Sequence, residues 1–333
     1  MGLIDFELRR KVLTSINHFA PLVKLPESIK DSVADLRGSE RLEIYVLPLH
    51  EGEGGNGKRF PAVQLCLDAE KEGRIYPGVV AIVPGSGNTA VNFAYSKDAF
   101  GIKKVIAVMN SSVPDGKKAQ LLVPGAEIEY PRPGQTTLER AAELEREGVG
   151  VFINQYKERG SIKGQNRTMY HLINEMESMD EVPSFFSAAM GTTSMICAAY
   201  ETLKNAFPKL HIIGGACKDK DNPVPGVRTV TDVERDISFD WKSVIGAHGP
   251  VLCSSYDSFA MSRKMILAVR RLFGPSCGTA VQAGLQRFRS LSESGELEEY
   301  TNPHGKYILI APSIDMSLTY GDEYMKVLKL GQK

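Results

Sequence analysis

Short apolar runs alternate with amphipathic stretches along most of the chain. Leu8, Val12 and Ile16 recur at every fourth position, which puts one apolar stripe on a helix from Phe6 to about His18, capped by Asp5. Residues 20–25 read as a short extended segment that stops at Pro26. The LEIYVL run at 42–47 reads as a strand. A glycine cluster follows (Gly52, Gly54, Gly55 and Gly57), then a helix from about Phe60 with Pro61 in its first turn and Gly73 just past its end. The VVAIV run at 79–83 reads as a buried strand that enters a helix at 89–99.

The alternation continues with strands at 104–109, 126–129 and 150–153 and helices at 115–123 and 136–147. Beyond them come helix 165–177, strand 184–189, helix 193–206 and strand 210–213, and later helices 257–273 and 279–292 and strand 306–311. Residues 214–250 are richer in Gly, Pro and Asp and read as a long excursion near a site. Continuous apolar strands between amphipathic helices specify an α/β class of mostly parallel sheets with helices on both faces. A chain of 333 residues has room for about two domains.

Composition narrows the partners. Lysine plus arginine number 40 and so do aspartate plus glutamate, so net charge gives no footprint for nucleic acid or an anionic membrane. No apolar run approaches the roughly 18 residues of a membrane helix, and MGLIDFELRRK lacks a signal-peptide core, so no membrane association is expected. The five cysteines (Cys66, Cys197, Cys217, Cys253 and Cys277) are odd in number and contain no Cys-x-x-Cys. A reducing, cytoplasmic setting is expected, without disulfides. The scattered histidines and cysteines show no ligand spacing, so no metal is expected.

Several strand–turn–helix junctions are candidates for chemistry. In Gly55-Asn56-Gly57-Lys58-Arg59-Phe60-Pro61 a lysine stands at a helix start, whose positive dipole end lowers an amine pKa, as a Schiff-base lysine needs. The alternative is a solvated lysine after a flexible loop. Val83-Pro84-Gly85-Ser86-Gly87-Asn88-Thr89-Ala90 fits the loose dinucleotide fingerprint, or an anion cradle of backbone N–H groups with the Ser86 and Thr89 hydroxyls, or a tight turn with a cap. Gly191-Thr192-Thr193-Ser194 offers hydroxyls and free N–H groups to a phosphate, or is an ordinary N-cap. In Gly274-Pro275-Ser276-Cys277-Gly278, Ser276 is a ligand donor or a cap, and Cys277 reads as a buried small residue rather than a nucleophile.

Together these segments resemble the cysteine synthase / cystathionine β-synthase family of fold-type II, pyridoxal 5′-phosphate-dependent enzymes. INHFAPLVKL (16–25) is similar to its I-G-x-T-P-L-V-x-L opening, and Gly54-Gly55-Asn56-Gly57-Lys58-Arg59-Phe60-Pro61-Ala62 to its Gly-Gly-Ser-Val-Lys-Asp-Arg-Pro-Ala. Ser86-Gly87-Asn88-Thr89 matches its Ser-Gly-Asn-Thr, Asn154-Gln155-Tyr156 its Asn-Gln-Phe, Gly191-Thr192 the opening of its phosphate loop, and Pro275-Ser276-Cys277-Gly278 its Ser-Ser-Gly segment. Order and spacing agree over about 16–313. The departures are Arg59-Phe60 for Asp-Arg, Gly85 for a threonine, and Thr193-Ser194-Met195 for Gly-Gly-Thr. In addition, PVPGVRTVTDVERDISFDW (223–241) replaces a glycine-rich loop.

The resemblance implies two three-layer αβα domains of the tryptophan synthase β-like kind. The smaller, mobile one would cover 41–154 with Lys58 and the Ser86–Thr89 loop. The larger would cover 1–40 plus 155–333 with the phosphate loop and Ser276, and the cofactor would sit between them. Lys58 is then the Schiff-base lysine and the base for the α-proton. Asn88 lies near the cofactor's phenolic oxygen, and Ser86, Gly87, Thr89 and Gln155 bind the substrate carboxylate. Gly191, Thr192, Thr193 and Ser194 hold the phosphate. Ser276 faces the pyridine nitrogen as a neutral hydroxyl, which makes the ring a weaker electron sink and favours prompt loss of a β-leaving group.

The expected activity is β-replacement on a β-substituted L-alanine (O-acetylserine, serine or a relative) through an aminoacrylate, with a small nucleophile such as sulfide. A homodimer is expected. The alternatives are a β-elimination lyase of serine/threonine dehydratase or desulfhydrase type, a nicotinamide-dependent oxidoreductase using the GSGNTA turn, and a degenerate, non-catalytic binding protein.

Overall fold

The computed structural model describes residues 4–51, 55–219, 224 and 226–321. Gly52, Gly54, Pro223 and Pro225 of the segments above lie outside the described residues, as does the chain beyond Gly321. The strands are β1 (Val23–Lys24), β2 (Leu42–Leu47), β3 (Val80–Pro84), β4 (Lys104–Val108), β5 (Glu127–Glu129), β6 (Val151–Phe152), β7 (Phe185–Ala189), β8 (His211–Cys217), β9 (Val251–Cys253) and β10 (Tyr307–Pro312). The α-helices are α1 (Phe6–Ser15), α2 (Arg59–Lys71), α3 (Asn88–Ser96), α4 (Asp115–Leu122), α5 (Thr137–Arg146), α6 (Gly160–Ser178), α7 (Ser194–Ala198), α8 (Lys204–Ala206), α9 (Val230–Asp236), α10 (Trp241–Ile245), α11 (Ser255–Val269) and α12 (Pro275–Ser294). They divide into two units, one holding the described residues of 4–19, 51–167 and 318–321, the other those of 20–50 and 168–317.

In the first unit the sheet is parallel, in the order β5-β4-β3-β6. Ile82, Ile106, Val108, Ala141 and Leu144 form a buried cluster between sheet and helix α5, and the alternate residues Ala81, Val83, Val105 and Ala107 are buried as well, so both faces of the apolar runs are covered. Local chemistry fixes the helix ends. Asp5 Oδ1 accepts from the Leu8 N–H at 2.9 Å and starts α1. Thr136 and Glu139 form a reciprocal capping box that starts α5. Helix α1 stops at Ser15, short of the expected His18, and α6 starts at Gly160, ahead of the expected 165. A methyl at Gly164 would lie 2.5 Å from Phe60 O, so this glycine permits close packing of α6 on the start of α2.

The second unit carries the order β1-β2-β10-β7-β8-β9, parallel except for the β1–β2 pair. Strand β2 pairs with β10 in register from Leu42↔Tyr307 to Leu47↔Pro312. It thus belongs to this sheet, whereas α1 belongs to the first unit, so the units are cut differently from the expected 41–154 and its complement. Phe185, Phe288, Tyr307 and Leu309 are buried in the core that the sheet shares with α11 and α12. Helix α12 opens on Pro275 and ends at Gly295 in the left-handed conformation (φ 80°).

Strand β8 runs to Cys217, beyond the expected 213. Gly214 and Gly215 pair with β7 as strand residues, and a methyl on either would lie 2.6 Å from Met190 Sδ or 3.0 Å from Ala283 Cβ, so the strand packs too closely there for a larger residue. The 214–250 excursion contains the end of β8 and helices α9 and α10. Helix α11 ends at Val269 rather than 273, since Arg270 turns left-handed (φ 58°). Between α7 and α8, Ala199–Leu203 form a wider, π-type turn. Among the described residues no helix is long and apolar enough to cross a membrane.

Candidate active site

In the first unit the chain leaves the carboxyl end of β3, where parallel sheets present ligand sites, and turns through Gly85-Ser86-Gly87 into α3. Gly85 (φ 141°) and Gly87 (φ 103°) take a backbone conformation that side chains disfavour. A methyl at Gly85 would also lie 2.7 Å from Gln155 Nε2 and 3.1 Å from the Tyr156 hydroxyl. Ser86 is half-buried, and Asn88, Thr89 and Gln155 are buried. The Thr89 hydroxyl donates to Gln155 Oε1 at 2.6 Å, and Gln155 Nε2 donates to Pro84 O at 2.7 Å. The structure therefore brings Ser86, Gly87, Thr89 and Gln155 together as neutral polar groups around one turn. Neutral donors suit a carboxylate, because they bind it without adding a competing base.

Lys58 stands immediately before α2. Its N–H donates to Asn56 Oδ1 at 3.0 Å, and the same oxygen accepts from Asn92 Nδ2 at 2.7 Å. Asn92 Nδ2 also reaches Asn88 O at 2.9 Å. The buried pair Asn56 and Asn92 thus ties the lysine loop to the first turn of α3. Asn92 escaped the sequence reading; its signal was the spacing of four from Asn88. Burial lowers the Lys58 amine from the usual lysine range to about 8. The lowering is in the expected direction, and desolvation causes it. Arg59 and Phe60 pack: Phe60 stacks on Phe19 with ring centroids 4.8 Å apart, and the Arg59 guanidinium donates to His18 O at 2.5 Å.

A second lysine was not foreseen. Lys117 is only 1% exposed, and its ammonium donates to Asn88 Oδ1 at 3.0 Å. Because an ammonium only donates, this bond fixes Asn88 Oδ1 as the acceptor and leaves the Asn88 NH₂ group as the donor end. The ammonium also lies 4.7 Å from the centroid of the Tyr320 ring.

In the second unit Gly191–Ser194 follow the carboxyl end of β7. Thr193 has φ 56° and ψ −4°, a left-handed conformation that costs a β-branched residue about 1–3 kcal/mol. A loop shaped for glycine is thus kept although the glycine is gone. A methyl at Gly191 would lie 2.2 Å from Gly226 O, so only glycine fits beside that segment. The Thr192 and Ser194 hydroxyls share a hydrogen bond of 2.8 Å. The buried Thr193 Oγ1 has no hydrogen-bond partner among the described residues, and such an orphan hydroxyl fits a ligand oxygen. These donors suit a phosphate ester.

Ser276 is the second residue of α12, and its hydroxyl donates to Asp315 Oδ1 at 2.7 Å, both groups buried. Asp315 was not anticipated; it follows β10 with no local signal of its role. A methyl at Gly274 would lie 2.2 Å from Asp315 Oδ1, so this glycine admits the carboxylate. Cys277 is buried, and burial pushes its thiol well above the usual range, which makes it a packed side chain rather than a nucleophile.

Comparison with known proteins agrees with this chemistry. Residues 35–299 match the family of pyridoxal-phosphate dependent enzymes. A cysteine synthase of Staphylococcus aureus (strain N315) is 25% identical over 313 residues, covering 90% of this chain and 96% of the relative. A hydrogen sulfide-producing enzyme from Fusobacterium nucleatum superposes with a TM-score of 0.76 at 20% identity, covering 93% of this chain and 98% of that one. The O-ureido-L-serine synthase structure superposes with a TM-score of 0.74 at 19% identity, covering 93% of this chain and 92% of its own. The match over most of the chain, with the shared fold, shows that this protein belongs to the fold-type II pyridoxal-phosphate dependent enzymes and that its cofactor is pyridoxal 5′-phosphate.

Proposed function

We propose that the enzyme replaces the β-substituent of a β-substituted L-alanine, such as O-acetylserine or serine, with a small nucleophile, as its relatives named cysteine synthase do by name. The observation that carries this reading is the hydrogen-bonded chain from the Lys58 N–H through Asn56 and Asn92 to the head of α3. It couples a lysine of lowered pKa to a turn of neutral donors suited to an α-carboxylate. Bound pyridoxal phosphate supplies the electron sink that lets an α-proton and then a β-substituent leave. Lys58 is the amine that holds the cofactor's aldehyde carbon, and once released it takes the α-proton at Nζ. An amine with a pKa of about 8 has a substantial neutral fraction near neutral pH, which a base needs.

The Asn88 NH₂ group, oriented by Lys117, donates to the cofactor's phenolic oxygen. Ser86, the N–H groups of the turn, Thr89 and Gln155 orient the substrate carboxylate. Thr89 donates to Gln155 in this state, so the hydroxyl must turn to serve an incoming anion. Gly191, Thr192, Thr193 and Ser194 take the phosphate, and Ser276 meets the ring nitrogen. Elimination without replacement uses the same residues. Adding sulfide to a reaction with O-acetylserine separates the two: the replacement reading predicts cysteine, and elimination alone predicts keto acid and ammonia at an unchanged rate.

A further inference from the structure

We propose that Tyr320 is a positioning residue for the cofactor: its ring seats Lys117, and Lys117 fixes which end of the Asn88 amide faces the cofactor's phenolic oxygen. The inference deepens the reading of Asn88 as the donor to that oxygen, and rests on it. Asn88, Lys117 and Tyr320 all belong to the first unit. Lys117 Nζ donates to Asn88 Oδ1 at 3.0 Å and lies 4.7 Å from the centroid of the Tyr320 ring. An aromatic face attracts N–H groups, so an amide oxygen and a ring together fix this nitrogen. The sense of the bond to Asn88 is the same for a neutral and a protonated amine, since both carry N–H groups.

The chain around the ring holds it in this place. Ser317–Tyr320 form a single 3-10 turn in which Thr319 and Tyr320 are buried. That turn lies against the first turn of α4, where a methyl at Gly116 would stand 2.7 Å from Thr319 O and 3.1 Å from Thr319 C. Helices disfavour glycine, and what Gly116 provides is this close approach of backbone to backbone. The next residues along the two segments, Lys117 and Tyr320, then meet. A buried lysine gives up the freedom of a long side chain, and a ring against its end restricts those rotamers before the cofactor arrives. Without the ring, Lys117 Nζ loses its seat and the Asn88 amide is free to turn. Its oxygen would then face the phenolic oxygen, acceptor against acceptor. A donor at the phenolic oxygen favours the deprotonated form, which absorbs in the visible, over the protonated form, which absorbs in the near ultraviolet.

The test reads the absorbance of the full-length protein loaded with pyridoxal phosphate, together with the affinity of the apoprotein for it. Tyr320→Leu keeps an apolar side chain and removes the ring. Its absorbance should move from the visible to the near-ultraviolet band, and its affinity should fall about 3–10-fold. Tyr320→Met, also without a ring, repeats the measurement should the leucine variant not fold. Tyr320→Phe keeps the ring and should match the wild type. In a Lys117→Met background Tyr320→Leu should change neither quantity further, because the ring acts through that amine. A lowered melting temperature with the wild-type band ratio marks a merely structural role and overturns the proposal. So does a Tyr320→Phe variant whose bands shift as far as those of Tyr320→Leu, or a shift of undiminished size in the Lys117→Met background. Asn88→Ala checks the reading beneath. Wild-type bands in Asn88→Ala overturn that reading and the proposal with it, whereas a shift there and none in Tyr320→Leu overturns the proposal alone.

Discussion

The Lys117 ammonium donates to Asn88 Oδ1 at 3.0 Å, although 29 residues separate them in sequence. The bond decides which end of the Asn88 amide is a donor, and that end is the one a phenolate requires. Lys117→Met keeps most of the side-chain volume and removes the donor. Hydrogen bonds to charged groups are worth about 1.5–3 kcal/mol, so cofactor affinity should fall at least several-fold. Titration of the apoprotein with pyridoxal phosphate, followed by fluorescence, measures it; unchanged affinity would remove Lys117 from the site.

The pH dependence of Lys58 has a definite sign. Burial lowers its folded pKa to about 8, below the value of roughly 10.4 expected in the unfolded chain. Between those values the unfolded state binds more protons, so the cofactor-free protein should gain stability from this group as pH rises from about 8 to about 10.4. The rate at which Lys58 is trapped by pyridoxal phosphate and borohydride should rise through about pH 8 and level off above it. A midpoint near the ordinary lysine value would refute the burial argument.

Thr193 carries two separable costs, its backbone strain and its buried hydroxyl. Thr193→Ala keeps a Cβ, and with it the strain of a side chain in the left-handed region, and removes the hydroxyl together with the γ-methyl. Its melting temperature without cofactor should stay level or rise, while phosphate-dependent affinity for pyridoxal phosphate falls about 5–10-fold, the worth of one hydrogen bond. Thr193→Gly additionally relieves the strain, so it should melt above Thr193→Ala by an amount that reflects roughly 1 kcal/mol or less, because glycine also loses entropy on folding. Comparing the two melting curves and two binding isotherms separates the effects.

Gly85→Ala should injure substrate binding rather than cofactor binding. Its methyl would stand 2.7 Å from Gln155 Nε2 on a backbone that alanine disfavours, so Gln155 moves and the Thr89–Gln155 bond breaks. We expect a raised KM for the amino acid with the cofactor's absorbance unchanged. A variant that loses the cofactor band instead would place this turn in another role.

What could be read from the chain beforehand follows the range of the forces involved. Strand β4 and helix α5 were legible because their signals are local: a continuous apolar run, and an amphipathic stretch. The end of β8 was not, because Gly214 and Gly215 read as a break and only the packing of Met190 and Ala283 explains them. The motif segments pointed to the Ser86–Thr89 turn, to Lys58 and to the loop at Gly191–Ser194. Lys117 and Asp315 were invisible for one physical reason. Each acts on a motif residue 29 or 39 positions away, across a contact that no local pattern encodes.

The central claim is a covalent bond between pyridoxal phosphate and the Lys58 amine. Borohydride reduction of the loaded protein, followed by peptide mass spectrometry, tests it most directly. The account predicts a single phosphopyridoxyl group on the peptide carrying Lys58, together with a visible absorbance band that is lost in Lys58→Ala. A modification spread over surface lysines, or a band unchanged in that variant, would contradict it.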